Sequence, residues 1–104
     1  MLRKVNDLDC YCDRKSFYGK CAVLMDVSGE DSNIYLLSYS TIVCYVDVNG
    51  NFFRLWEGES QTTMRHVNAF LLYLGINGGG VKWWREQPTA PEDTRRKVKY
   101  HDIA

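Results

Sequence analysis

The chain has 104 residues, which gives it room for one domain and one core, since chains divide into several domains only beyond about 250 residues. Its 45% hydrophobic and 25% charged residues are the proportions of a folded soluble protein. Thirteen lysines and arginines against thirteen aspartates and glutamates exclude an overall positive field that would draw it onto nucleic acid or an anionic membrane.

No apolar run approaches the roughly 18 residues of a membrane span. The opening "MLRKVNDLDCYC" has basic residues without the apolar segment of a signal peptide. A cytoplasmic protein with no membrane association is therefore expected. Without an export signal, Cys10, Cys12, Cys21 and Cys44 are expected to be thiols. Zinc is disfavoured because the C-x-C at Cys10 and Cys12 is too short for the usual ligand spacing and no second close pair follows.

In chain order, residues 1–19 are mixed in charge and weakly periodic, with no clear strand or helix pattern, and are read as a packed arm or a short helix. From Lys20, "KCAVLMDV" suits a strand, "SGEDSN" supplies turn residues, and "IYLLSY" reads as a second strand. That strand runs almost directly into "TIVCYVDV", so Ser38 to Thr41 must form a tight turn or a bulge. In "TIVCYVDVNGNFFRLWE", Asn49-Gly50 lies between two β-rich runs and suits a type I′ hairpin turn. Such a turn sets Val46 opposite Phe53 and Cys44 opposite Leu55 on a core side. Tyr45 then faces Arg54, and Val43 faces Trp56, on an amphipathic second side. In that register Arg54 would meet Tyr45 or Trp56 in a cation–π contact.

Beyond "GES", Ser60 or Thr62 can cap a helix running from about Ser60 to Leu74. Met64, Val67, Leu71 and Leu74 form its apolar stripe, with Phe70 beside it and Gly75 as the left-handed stop. "NGGG" at Asn77–Gly80 reads as a flexible connector, and "VKWWREQP" returns to order because adjacent tryptophans are too apolar to leave in water. Pro88 and Pro91 bracket a loop, and "RRKVKYHDIA" reads as an edge strand or a disordered arm. The expectation is a single α+β domain with a small antiparallel sheet of three to five strands within 20–57. The helix 60–74 covers one face, and a Trp-rich segment and basic tail occupy 81–104.

"SQTTMRH" gathers residue types that recur in active sites, but Ser60, Thr62 and Thr63 belong to a cap and no acid is placed to orient His66. Helical spacing puts Arg65, Asn68 and Leu72 on one outer face and His66 with Tyr73 on a neighbouring one. "INGGGVKWW" lacks the Lys-Ser/Thr ending of a phosphate loop. No enzyme activity, cofactor or metal is therefore expected. The surplus of aromatics and cations points instead to a protein partner, with Tyr45, Arg54, Trp56, Arg65, His66, Trp83, Trp84 and Arg85 as contact residues. The alternative is a nucleic-acid contact through Arg95, Arg96, Lys97, Lys99 and Tyr100.

Within Leu37–Leu71, Ser38, Tyr39, Thr41 and Val43 fit a pattern S-Y-x-T-x-V, and Thr62, Thr63, Arg65, His66, Phe70 and Leu71 fit T-T-x-R-H-x-x-x-F-L. In both elements the chain resembles a group of uncharacterised small proteins from phages and mobile elements of gut Firmicutes. The resemblance implies a mobile-element setting in a bacterial host cell and a host or phage protein as partner. From that setting follows an expected anti-CRISPR-like role, such as inhibiting a host defence nuclease.

Overall fold

The computed structural model describes residues 2–8, 21–26, 32–58 and 60–99, with the side chains of Asp7, Lys97 and Lys99 excepted. Cys10, Cys12, most of the "SGEDSN" turn and Tyr100 lie outside the described residues. The order is β1 (Leu2–Asp7), β2 (Cys21–Asp26), β3 (Ile34–Ser38), β4 (Thr41–Val46), β5 (Phe52–Arg54), α1 (Gln61–Leu74), α2 (Val81–Glu86) and α3 (Glu92–Lys99). The strands form one sheet, each antiparallel to its neighbour in chain order. The expected α+β architecture is therefore present, with four strands inside 20–57 and a fifth, β1, in what reads from sequence as an arm.

β1 is a strand by pairing rather than by pattern. Among its described side chains Leu2 alone is buried, and a register shift between Lys4 and Asn6 leaves Val5 largely exposed. An edge strand with so little apolar content draws its order from the β2 ladder.

The β4–β5 register corrects the type I′ expectation. Cys44 lies opposite Arg54, Tyr45 opposite Phe53 and Val46 opposite Phe52. The cause is Asp47, whose carboxylate accepts the N–H groups of Asn49 and Asn51, each at 2.9 Å. Gly50 N–H donates to Asp47 O at 3.0 Å and Asp47 N–H to Asn51 O at 3.0 Å. Gly50 takes φ 83° while Asn49 does not have a positive φ. This is a three-residue loop, a type I turn closed by a left-handed glycine. Because strand side chains alternate, a one-residue change in register exchanges faces. Phe52 thus joins the core under α1, while Phe53 and Leu55 move to the opposite face with Tyr45. The α1 stripe shares its core with Val46, as expected, but with Cys44 and Phe52 in place of Phe53 and Leu55.

Between β3 and β4 the chain makes both a turn and a bulge. Ser38 lies opposite Thr41 across Tyr39-Ser40, and the register shifts between Leu37, opposite Ile42, and Leu36, opposite Cys44. Val43 is the extra residue, and its carbonyl accepts from both Leu55 N–H and Trp56 N–H.

α1 is bounded as its ends dictate. Ser60 Oγ accepts Thr63 N–H at 3.0 Å, and Gly75 ends the helix at φ 71°. Ile76 N–H reaches Leu71 O and Gly75 N–H reaches Leu72 O, the two bonds of a Schellman motif. Met64, Val67, Phe70 and Leu71 are buried against the sheet and Leu74 is half-buried.

The glycine run connects α1 to α2, as expected, and packs closely against both. Gly79 has φ 113°, and a Cβ there would stand 2.4 Å from Asn68 Oδ1, while one at Gly78 would strike the Trp83 ring. Glycine at these two positions lets the backbone pass close to Asn68 of α1 and Trp83 of α2. Beyond α2, the two prolines bracket a strap rather than a free loop. Arg54 N–H donates to Pro88 O at 2.8 Å and Ala90 N–H to Arg54 O at 2.7 Å, a parallel bridge along the outer edge of β5. The tail, expected as an edge strand or disordered arm, continues as α3, whose Val98 packs on the opposite face with Ala90, Tyr35 and Tyr45.

Candidate functional site

The two separated motif elements meet in space. Ser38 ends β3 facing α1, and His66 lies in the second turn of α1 facing the sheet. Ser38 Oγ and His66 Nδ1 are 2.7 Å apart across 28 residues of sequence. The helix that Ser60 starts places His66 on the same inward side as Met64 and Val67 rather than on the outer face with Tyr73. His66 is 0% exposed, and burial holds its imidazole below its ordinary pKa, because a charged ring would lose its hydration there.

Tyr39 completes the group. Its ring centroid lies 5.5 Å from that of His66, yet the side chain is 51% exposed. Its φ of 55° falls in the left-handed region, and Ser40, the other central residue of the turn, does not have a positive φ. One positive φ at the first central position is the pattern of a type II′ turn, where glycine is the unstrained choice. An exposed tyrosine thus stands where local conformation favours glycine, braced from below by a buried histidine. Ser38 and His66 have the spacing of a nucleophile and base, but the hydroxyl is enclosed, with Ser38 3% exposed. The pair ties α1 to the β3–β4 turn and aims Tyr39 outward.

The other expected contact residues divide between the interior and the surface. Tyr45 is buried between Tyr35 and Phe53, with ring centroids at 5.4 and 5.2 Å. Trp84 is fully buried, donates Nε1–H to Gly58 O at 3.2 Å and meets Phe52 edge-on. Arg54 lies over the Trp84 ring at 5.8 Å and donates Nε–H to Gln87 O at 2.9 Å, so its aromatic partner is neither Tyr45 nor Trp56. The shifted register turns Arg54 toward α2. His66, Tyr45 and Trp84 therefore serve the interior instead of offering contact surface. Trp56, Trp83 and Arg65 are half-buried, and Arg85 is exposed.

In the basic tail, Arg95 lies 3.7 Å from Glu57, and Arg96 bonds Glu92 one turn back at 2.7 Å. The side chains of Lys97 and Lys99, like Tyr100, lie outside the described residues. Cys21 donates its thiol to Leu8 O at 3.4 Å, and burial pushes the Cys44 thiol well above its ordinary pKa. Among the described residues no three His, Cys, Asp or Glu side chains converge as metal ligands, and no helix is long and apolar enough to cross a membrane.

Sequence reasoning missed Ser38 and Tyr39 as site residues. Their signal was the S-Y-x-T element, but the strain at Tyr39 depends on a turn type that the sequence leaves undecided. A family model matches residues 6–86, so the chain belongs to DUF8033, a family of unknown function. No curated protein and no solved structure matches it. The matched stretch contains Ser38, Tyr39 and His66 and stops before the strap and α3.

Proposed function

We propose that this member of the DUF8033 family is a non-enzymatic protein-binding module whose contact site centres on Tyr39, with Ser40 and Thr41 of the same turn beside it. One observation carries the reading. Tyr39 has an exposed aromatic ring on a backbone angle that glycine would hold without strain. Backbone strain of this kind persists where the surroundings enforce it and gathers at functional positions. A large, rigid, half-open aromatic is also the side chain most often found at the energetic centre of an interface. The enclosure of both the Ser38 hydroxyl and the His66 ring, which keeps a substrate from reaching them, supports a bracing role for that pair in place of catalysis.

The resemblance noted from sequence extends the proposal. The protein is encoded by a phage or mobile element and acts in the bacterial cytoplasm on a host or phage protein, in an anti-CRISPR-like role against a host defence system. Affinity capture from host lysate with wild type and Tyr39→Gly tests the site. A protein held by wild type and lost by a well-folded Tyr39→Gly supports it. Equal recovery by both would remove Tyr39 from the contact.

The nucleic-acid reading has less support, because Arg95 and Arg96 already have carboxylates within reach. It requires an affinity that falls with log salt at a slope of about −0.9 for each phosphate neutralised.

A further inference from the structure

The chain's last described helix is attached unevenly. Up to Ala90 the hold is firm. Arg54 bonds both Pro88 and Ala90 through its backbone and Gln87 through its guanidinium, and Ala90 is itself buried. Beyond Pro91 the attachment changes character. The sequence of α3, "EDTRRKVK", has one apolar residue, Val98, which is half-buried, and none of its described side chains is buried. By contrast, α1 buries Thr63, Met64, His66, Val67, Ala69, Phe70 and Leu71.

The ion pairs among the described residues hold α3 weakly. Arg96–Glu92 lies within the helix, and Arg95–Glu57 joins two side chains that are 44% and 67% exposed, where solvent screens the attraction. A helix this short has too few internal hydrogen bonds to persist alone. It is helical while docked. The surface it docks on is aromatic, since Val98 and Ala90 pack against the cluster holding Tyr35 and Tyr45, beside the half-buried Phe53 and Leu55. The family match ends at Glu86, ahead of this whole attachment.

We infer that α3 is a detachable cover. It undocks and unfolds about Pro91 as a local event while the sheet, α1 and the strap stay in place, and its departure uncovers the Tyr45–Phe53 side of the sheet. Undocking breaks the Val98 contact and the Arg95–Glu57 pair and leaves every strap hydrogen bond intact. The cover therefore swings from a fixed hinge without opening the sheet edge.

Hydrogen exchange read by mass spectrometry on the full chain, wild type and Val98→Asp, tests this. In wild type, α3 amides are expected to exchange on the order of 100-fold faster than interior amides of α1, because local opening needs far less free energy than global unfolding. Val98→Asp should abolish the remaining α3 protection, leave α1 protection and the melting midpoint unchanged, and raise the nitration of Tyr45 by tetranitromethane. Equal exchange in α3 and α1, loss of α1 protection in Val98→Asp, or unchanged Tyr45 nitration would each overturn the inference. None of these readouts depends on Tyr39, so the cover and the proposed contact site stand or fall separately.

Discussion

Replacing Tyr39 by glycine and by alanine separates what its backbone costs from what its ring contributes. A non-glycine residue in the left-handed region costs about 1–2 kcal/mol, which Tyr39→Gly removes and Tyr39→Ala retains. Glycine gives back about 0.5–1 kcal/mol through its greater freedom in the unfolded chain. Both variants lose the ring contact with His66 at 5.5 Å, worth about 0.5–1.5 kcal/mol for an aromatic pair. The glycine variant should therefore lie within about 1 kcal/mol of wild type, and the alanine variant about 0.5–1 kcal/mol below the glycine one. Urea denaturation of the three proteins, followed by tryptophan fluorescence, measures this. If alanine proves more stable than glycine by about 0.5–1 kcal/mol, the entropy cost of glycine alone, residue 39 carries no strain and the functional argument built on its φ fails.

Ser38→Ala takes the partner of a fully buried imidazole nitrogen and should cost about 1–3 kcal/mol, read from the same denaturation curves. Burial lowers the His66 pKa in the fold, so the unfolded chain binds the proton more readily than the folded one. The stability this contributes is complete above the ordinary value near 6.5 and is lost as pH falls through the depressed folded value. A pH series on His66→Gln should show that part of the slope missing. Leu71→Ala should cost about 2–5 kcal/mol as a large-to-small change in the core. Ser60→Ala should cost about 0.5–2 kcal/mol and Thr62→Ala much less, because Ser60 accepts the helix N–H.

Local signals were legible in the sequence, and competing ones were not. The ends of α1 could be read because Ser60 and Gly75 act on neighbouring backbone groups. The β4–β5 register misled because Asn49-Gly50 favours one turn and the carboxylate of Asp47, two residues earlier, stabilises another. β1 escaped because its order comes from β2 rather than from its own residues. α3 did carry a helical signal in Pro91 followed by Glu92 and Asp93, but the alternation of basic and apolar residues in its second half resembles a strand. For the site, the sequence supplied both motif elements but not their meeting, which depends on how α1 crosses β3. Tyr45 and Trp84 read as contact residues, yet both are buried, because composition shows a surplus of aromatics without showing which face each occupies.

The strap along β5 decides how copies of this chain can associate. In a parallel bridge the N–H and C=O of Arg54 are both occupied, so β5 cannot pair with an incoming strand at that residue. The strap also makes a poor template. Pro88 and Pro91 have no N–H, and Ala90 spends its own on Arg54, which leaves Thr89 alone to donate outward. At Arg54 the edge of β5 is thus closed by a segment bracketed by two prolines, where the described residues hold no further strand.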